Sequence, residues 1–273
     1  MSYKSILVNI DIDGPIAPIV KAAIHFARRH KAKLIGHCAA DAPMIMAGPE
    51  GGALAAEAWR LMRDDITKKF GEVHAEFDRL TAGAVKAEWR ANLSSPTPGL
   101  VEASRSADLI IMAASKGVAT GDSYRLADPA GVVLRAGRPV FVVGDKIERI
   151  RTKKVVVAWK DTREARRAVA DAVPLLFEAE EVIVVSVAAE ADQWIQEGLN
   201  DVIAFLAAHG VKAASNLIDS PDDHIELFNF IDASNADLVV SGAYGHSRLR
   251  EWVFGGVTRS LLDESRLNRF MSS

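Results

Sequence analysis

Asn235-Ala236-Asp237-Leu238-Val239-Val240 repeats Ser106-Ala107-Asp108-Leu109-Ile110-Ile111 at an offset of 129 residues, and the same offset carries Pro139-Val140-Phe141 onto Asn268-Arg269-Phe270 without a gap. Each copy leads through an Ala-Asp step into a run of branched apolar residues, the pattern of a strand buried on both faces of a parallel sheet. Nearer the start, Ile6-Leu7-Val8 aligns with Val155-Val156-Val157 at an offset of 149, so the first copy carries about twenty extra residues, placed between 42 and 80. A period this long is not that of a solenoid. It suits two equivalent domains packed as a covalent pseudo-dimer.

Working outward, short β-branched runs alternate with stretches of helical period, which is the signature of βαβ units. In the first copy strands are expected at 6–10, 33–38, 85–90, 108–112 and 139–143. Helices are expected at 18–30, 53–80 and 130–136, with a further helix start at Ser94-Ser95-Pro96. In the second copy strands fall at 153–158, 182–187, 211–218, 238–241 and 267–271, with helices at 162–177, 192–208 and from about 257. Ser220-Pro221-Asp222-Asp223 reads as another helix start, with a hydroxyl N-cap, Pro at the first position and a carboxylate at N3. The fold class is therefore α/β, two tandem five-stranded parallel sheets, with domains at 1–146 and 152–273 and a charged join between them.

The chain's 273 residues carry a net charge of −3, which argues against nucleic acid as the main partner, since phosphate tracking calls for a basic excess. At 49% hydrophobic and 25% charged, the composition is that of a globular protein with ample core. No stretch is long and apolar enough for a membrane span, and nothing near the start reads as a targeting signal, so the expected place is the cytoplasm. Cys38 is the single cysteine, which excludes an intramolecular disulfide and fits a reducing compartment. Although Cys38 follows His37, neighbours on a strand point to opposite faces, and a buried, inert thiol is expected.

The stretch most suited to chemistry runs from Ser241-Gly242-Ala243-Tyr244-Gly245-His246-Ser247-Arg248 to Gly255-Gly256-Val257-Thr258-Arg259-Ser260. It starts at the carboxyl end of a strand and ends by opening a helix, where open parallel sheets bind ligands. Gly242 and Gly245 would admit a bulky polar ligand to the backbone. Gly255 and Gly256 would bare N–H groups at a helix N-terminus, an anion site. Thr258 and Ser260 could add hydroxyls, and Arg248, Arg250 or Arg259 a positive charge. The stretch is neither a Walker A loop nor a dinucleotide fingerprint.

With its Gly-x2-Gly-x9-Gly spacing at Gly242, Gly245 and Gly255, the chain resembles the universal stress protein family in its tandem, two-domain form. The resemblance implies an adenine-nucleotide-binding fold with strand order 3-2-1-4-5 and pairing of domains through their fifth strands. It implies ATP as the ligand, with Mg²⁺ as its companion, held in the second domain by Ala158, Lys160, Val187, Gly242, Gly245, His246, Arg248, Gly255, Gly256, Val257 and Thr258. The function implied is a nucleotide-linked stress-response switch with slow hydrolysis at most, and no catalytic residue is assigned. Two positions depart from the family pattern: Gly256 stands where ATP-binding members have Ser or Thr, and Lys160 stands where they have Asp. Asp11 keeps that Asp in the first copy. There, however, Ala113, Lys116, Leu126 and Ala127 replace the four glycines, so its loop is not expected to hold a triphosphate. Partners would be the nucleotide and other proteins, with a homodimer of tandem chains as a further assembly, and neither nucleic acid nor membrane.

Other readings compete. A scaffold that keeps the fold without nucleotide is favoured by Gly256, Lys160 and the degenerate first copy, and an enzyme acting on another ligand has less support. His246 reads as a loop-surface residue before a catalytic base. Asp222-Asp223-His224 reads as a charged first turn before a metal site. Trp59 and Trp194 read as core or interface packing, and the segment around Met44-Ile45-Met46 and Ala53-Leu54 as a lid or partner-binding element. Arg269, on a last strand that pairs across the pseudo-two-fold, must reach solvent or a carboxylate.

Overall fold

The computed structural model describes residues 2–44, 48, 51–114, 122–144, 150–190, 192–243, 256–264 and 266–273, and the chain divides into two compact units, Tyr3–Ala136 and Gly137–Ser273. The first unit runs β1 (Ser5–Asn9), α1 (Ile16–His30), β2 (Lys33–Ala40), α2 (Gly52–Thr81), β3 (Ala87–Leu93), α3 (Pro96–Ala103), β4 (Leu109–Ala113) and α4 (Pro129–Arg135). Its strands form a parallel ladder in the order β3-β2-β1-β4, with Ile6 level with Leu34 on one side and Leu109 on the other. Ile6, Leu7, Val8, Leu34, Leu109, Ile110 and Ile111 are fully buried, as expected where helices cover both faces of a parallel sheet.

The second unit runs β5 (Val140–Val143), β6 (Lys154–Ala158), α5 (Arg163–Leu176), β7 (Glu181–Ala188), α6 (Gln193–Ala208), β8 (Ala214–Asp219), α7 (Asp223–Ser234), β9 (Leu238–Gly242), α8 (Gly256–Asp263) and β10 (Asn268–Ser272). Strands β8-β7-β6-β9-β10 are parallel and repeat the order 3-2-1-4-5. β5 pairs antiparallel with β10, with Arg269 opposite Val142 and Met271 opposite Val140. The fifth strands of the two copies therefore pair with each other, as the resemblance implies.

The repeated Ala-Asp step has a physical role. Asp108 Oδ2 accepts hydrogen bonds from the Lys4 and Ser5 amides at 2.7 and 2.9 Å, tying the start of β4 to the start of β1. Asp237 Oδ2 does the same for the Lys153 and Lys154 amides at 3.3 and 3.1 Å, between β9 and β6. In each copy one carboxylate satisfies amides at a strand entrance that the ladder leaves unpaired.

Three local expectations change. The helix after β8 starts at Asp223, and its N-cap, Asp222, makes no side-chain cap bond. Ser220 cannot serve as the cap because its amide donates to the Ala188 carbonyl, which holds it on the ladder between β7 and β8, and its hydroxyl accepts from the Asp222 amide at 3.2 Å instead. Trp194 is not core, being 71% exposed. Arg269 is fully buried rather than solvated; it donates to the Leu261 carbonyl at 3.1 Å, and its charge acts with that of Arg266 to hold the Glu264 carboxyl below its ordinary range, Arg266 being the larger cause. Cys38 is buried as expected, and burial pushes its thiol up to about 12, helped by the negative charges of Asp11 and Asp13.

Candidate functional site

In the second unit the strand order reverses at β6, whose chain successor β7 lies on one side and β9 on the other, so the carboxyl ends of these strands mark a topological switch point, where open parallel sheets take their ligands. The Trp159 amide donates to the Val185 carbonyl at 2.8 Å, and Ala158 is level with Val185 and Ser241. Lys160 and Val187 stand beyond these pairs, and both Ala158 and Val187 are half-buried. The side chain of Lys160 is exposed, with its ammonium 3.8 Å from Asp223 at the start of α7. It does not enter the sheet as an unpaired buried charge.

Gly242 ends β9. A Cβ there would stand 2.4 Å from the Ala165 nitrogen and 2.6 Å from the Glu164 carbonyl carbon. The residue is glycine because the first turn of α5, capped by Thr162 through the Ala165 amide at 3.2 Å, rests directly on it. Close approach was expected at Gly242, but the approaching group is the protein's own helix.

Gly256 begins α8, Val257 follows in that helix, and Thr258 in its first turn is half-buried. Gly245, His246, Arg248 and Gly255 lie outside the described residues. Of the expected set, the structure brings together Ala158, Lys160, Val187 and Gly242 around the ends of β6, β7 and β9.

The corresponding place in the first unit is closed by its own chain. The Asp41 amide, just past β2, donates to the Tyr124 carbonyl at 2.8 Å, and the Arg125 guanidinium forks onto Asp13, just past β1, with one contact at 3.0 Å. Ala127 is 1% exposed. Asp11, the carboxylate of the family pattern, accepts from Asn9 Nδ2 at 2.8 Å and from the Ala127 amide. Burial raises its pKa from the ordinary carboxylate value, while those two hydrogen bonds pull the other way. The segment Tyr124 to Ala127 thus lies across the ends of β2 and β1.

Sequence reading missed an aromatic groove in the second unit, lined by Trp159, Trp194 and Phe205 between α5 and α6. A signal existed: Trp194, Glu197, Gly198, Asp201 and Phe205 recur at helical spacing, but a mixed aromatic and acidic stripe does not distinguish a groove from a solvated face. Among the described residues no group of three or more His, Cys, Asp or Glu side chains is placed to hold a metal ion, and no helix is long and apolar enough to cross a membrane.

No protein-family model matches the sequence, and no curated protein matches it. Among solved structures, a universal stress protein from Archaeoglobus fulgidus is similar over 98% of this chain and 96% of its own, with 15% identity and a TM-score of 0.68. A Pseudomonas aeruginosa protein assigned to the same family is similar over 99% of this chain and 93% of its own, also at 15% identity, with a TM-score of 0.60. A functionally unknown protein from Pseudomonas aeruginosa covers 99% and 92% with a TM-score of 0.58. At this identity the likeness is one of fold, and it extends over nearly the whole chain.

Proposed function

We propose that this chain, which has the fold of the tandem universal stress proteins, binds an adenine nucleotide in its second unit and works as a nucleotide-linked switch in a cytoplasmic stress response. The observation that carries the reading is the placement of Ala158, Val187 and Lys160 at the carboxyl ends of β6 and β7, where the strand order reverses and open parallel sheets take their ligands. At the equivalent place in the first unit, Tyr124 to Ala127 lie over the ends of β1 and β2, where the Tyr124 carbonyl accepts from the Asp41 amide and the Ala127 amide donates to Asp11.

The base would lie against Ala158 and Val187. The phosphates would lie toward the start of α8, where Gly256 and Thr258 supply backbone and hydroxyl donors and the helix dipole favours an anion. Lys160 can turn to a phosphate at little cost, because its contact with Asp223 is an exposed ion pair of a kind that contributes about 0–1 kcal/mol. ATP is the first candidate, its Mg²⁺ being held mainly through the phosphates. No base for hydrolysis is assigned, so signalling would rest on the bound state.

A nucleotide-free scaffold is the second reading. It is favoured by Gly242, whose lack of a side chain is accounted for by Ala165 without any ligand.

Mass spectrometry of small molecules released from the denatured, purified protein, followed by calorimetric titration with ATP and AMP, separates the two. The switch reading expects a bound or titratable adenine nucleotide that is lost in Val187→Trp, where the indole would fill the base position, and kept in Asp11→Asn. Absence of both co-purified nucleotide and binding heat would establish the scaffold reading instead.

A further inference from the structure

Between α5 and α6 the second unit carries a groove of about 540 Å³, within the range of sites that take small organic ligands. Its walls are aromatic: Trp194 is 71% exposed and Phe205 38%, whereas Trp159 at the base is 7% exposed. Gly198 faces the groove, where a Cβ would meet nothing nearer than the Trp159 indole nitrogen at 3.9 Å. That indole N–H makes no hydrogen bond among the described residues, although the ring is more than nine-tenths buried. The N–H borders the groove, where an occupant could accept from it.

The charge around the groove has one sign to spare. Asp161 is matched by Arg166 at 3.3 Å. Glu197 and Asp201, one turn apart on α6, have no cation partner among the described residues, and Glu197 receives only the neutral amide of Gln193 at 2.8 Å. Both lie beyond the first turn of α6, so the helix dipole does not account for them. Like charges at this spacing weaken a helix rather than support it.

Aromatic faces beside unpaired carboxylates match a cation attached to an apolar body: the rings attract the ammonium through their quadrupoles, and the carboxylates neutralise it. The geometry points to a second ligand site, separate from the strand-end site, that takes a small amphipathic organic cation: an arylalkyl ammonium with a hydrogen-bond acceptor for Trp159. The first unit offers no counterpart, because Ile10 stands at the position of Trp159 and the apolar face of α2, with Ile66, Phe70, Val73 and Phe77, is buried.

Three soluble probes sharing one ring and differing in charge test this. They are tyramine (cationic), tyrosol (neutral) and 4-hydroxyphenylacetate (anionic), titrated into the full chain by calorimetry and ligand-observed NMR. Tyramine is expected to bind at least tenfold more tightly than either of the others and to lose at least tenfold in the double variant Glu197→Gln, Asp201→Asn. It is expected to lose its site in Gly198→Leu, which fills the groove, while ATP titration of that variant stays as in the parent chain. Trp159→Phe should weaken all three probes alike by removing the shared donor. The proposal is overturned if the three probes bind equally, if tyramine fails to bind at millimolar concentration, or if the double variant retains full affinity with an unchanged melting temperature.

Discussion

Gly242, the last residue of β9, lies directly beneath the backbone of Ala165, in the first turn of α5; a Cβ on the glycine would stand 2.4 Å from the Ala165 nitrogen. The contact joins the strand that leads into the glycine-rich segment to the helix that follows β6. Ala165 is 4% exposed, so the helix turn cannot move outward without uncovering it.

Gly242→Ala is therefore expected to lower stability through overpacking, by about 1–3 kcal/mol. Urea denaturation followed by circular dichroism reads this as a lower midpoint at an unchanged slope. An unchanged midpoint would mean that α5 yields, and that the residue is glycine for some other reason. Loss of nucleotide binding in this variant must be referred to its stability before it is attributed to a ligand contact.

His37 gives the protein an acid-sensitive element. The ring is fully buried on β2, neither nitrogen has a hydrogen-bond partner among the described residues, and burial first, then the charge of Arg90, lowers its pKa to about 4. The unfolded chain takes up this proton near the ordinary value of about 6.5, whereas the folded chain resists until about 4, so stability falls as pH drops through that interval. The loss is of the order of 3 kcal/mol. His37→Leu should flatten the stability profile between those limits. Asp13 acts lower and with the opposite cause: Arg125 holds it at about 2, so its contribution is complete above the ordinary carboxylate value and is lost only as pH falls toward 2. A profile of His37→Leu that still drops between pH 6.5 and 4 would sink the assignment.

Whereas the strand order of the second unit and the pairing of the fifth strands followed from the resemblance to the universal stress protein family, the duplication could be read from the repeated Ala-Asp-Leu step and its offset. The reason is physical: Asp108 and Asp237 each close a strand entrance, and a buried parallel strand admits little besides branched apolar residues. What could not be read is tertiary. The closure of the first site depends on where Tyr124 and Arg125 meet Asp41 and Asp13, contacts between residues far apart in the chain. The identity of the group above Gly242 depended likewise on helix placement, because a glycine signals close approach and not what approaches. The groove at Trp159 arises from the spacing of two helices, which leaves no mark on periodicity.

Two glycines in regular elements should respond to a methyl group with opposite sign. Gly36 sits in β2 against Phe77, whose ring atoms would be 2.6 to 2.9 Å from an added Cβ and which is itself fully buried. Gly36→Ala should cost about 1–3 kcal/mol, because the ring has nowhere to withdraw. Gly198 in α6 has open space, so Gly198→Ala should add about 0.5–1 kcal/mol by lowering the entropy of the unfolded chain and favouring helix. Thermal melts of the two single variants check both signs, and a stabilised Gly36→Ala would contradict the packing described for α2.

Asn268 is the last case, and it explains why the final strand departs from its counterpart in the first copy. Its Oδ1 accepts from the Gly144 amide at 3.1 Å, just past β5, and its Nδ2 donates to the Asp237 carbonyl at 3.0 Å, just before β9. One amide thus fixes the entrance of β10 between an antiparallel and a parallel neighbour, whereas Pro139, at the same place in the first copy, has no donor to offer. Asn268→Ala removes both bonds and leaves the Gly144 amide and the Asp237 carbonyl to find water. The expected cost is about 1–3 kcal/mol. Asn268→Asp keeps the acceptor for Gly144 but turns the donor to Asp237 into a second acceptor facing a carbonyl, so it should be no better than alanine near neutral pH. Hydrogen exchange locates the effect: in Asn268→Ala, protection should fall first at Val140–Val143 and Asn268–Ser272, with β6 to β8 unchanged. Uniform loss of protection across the second unit would show that the amide supports global stability and not the seam between β5 and β10.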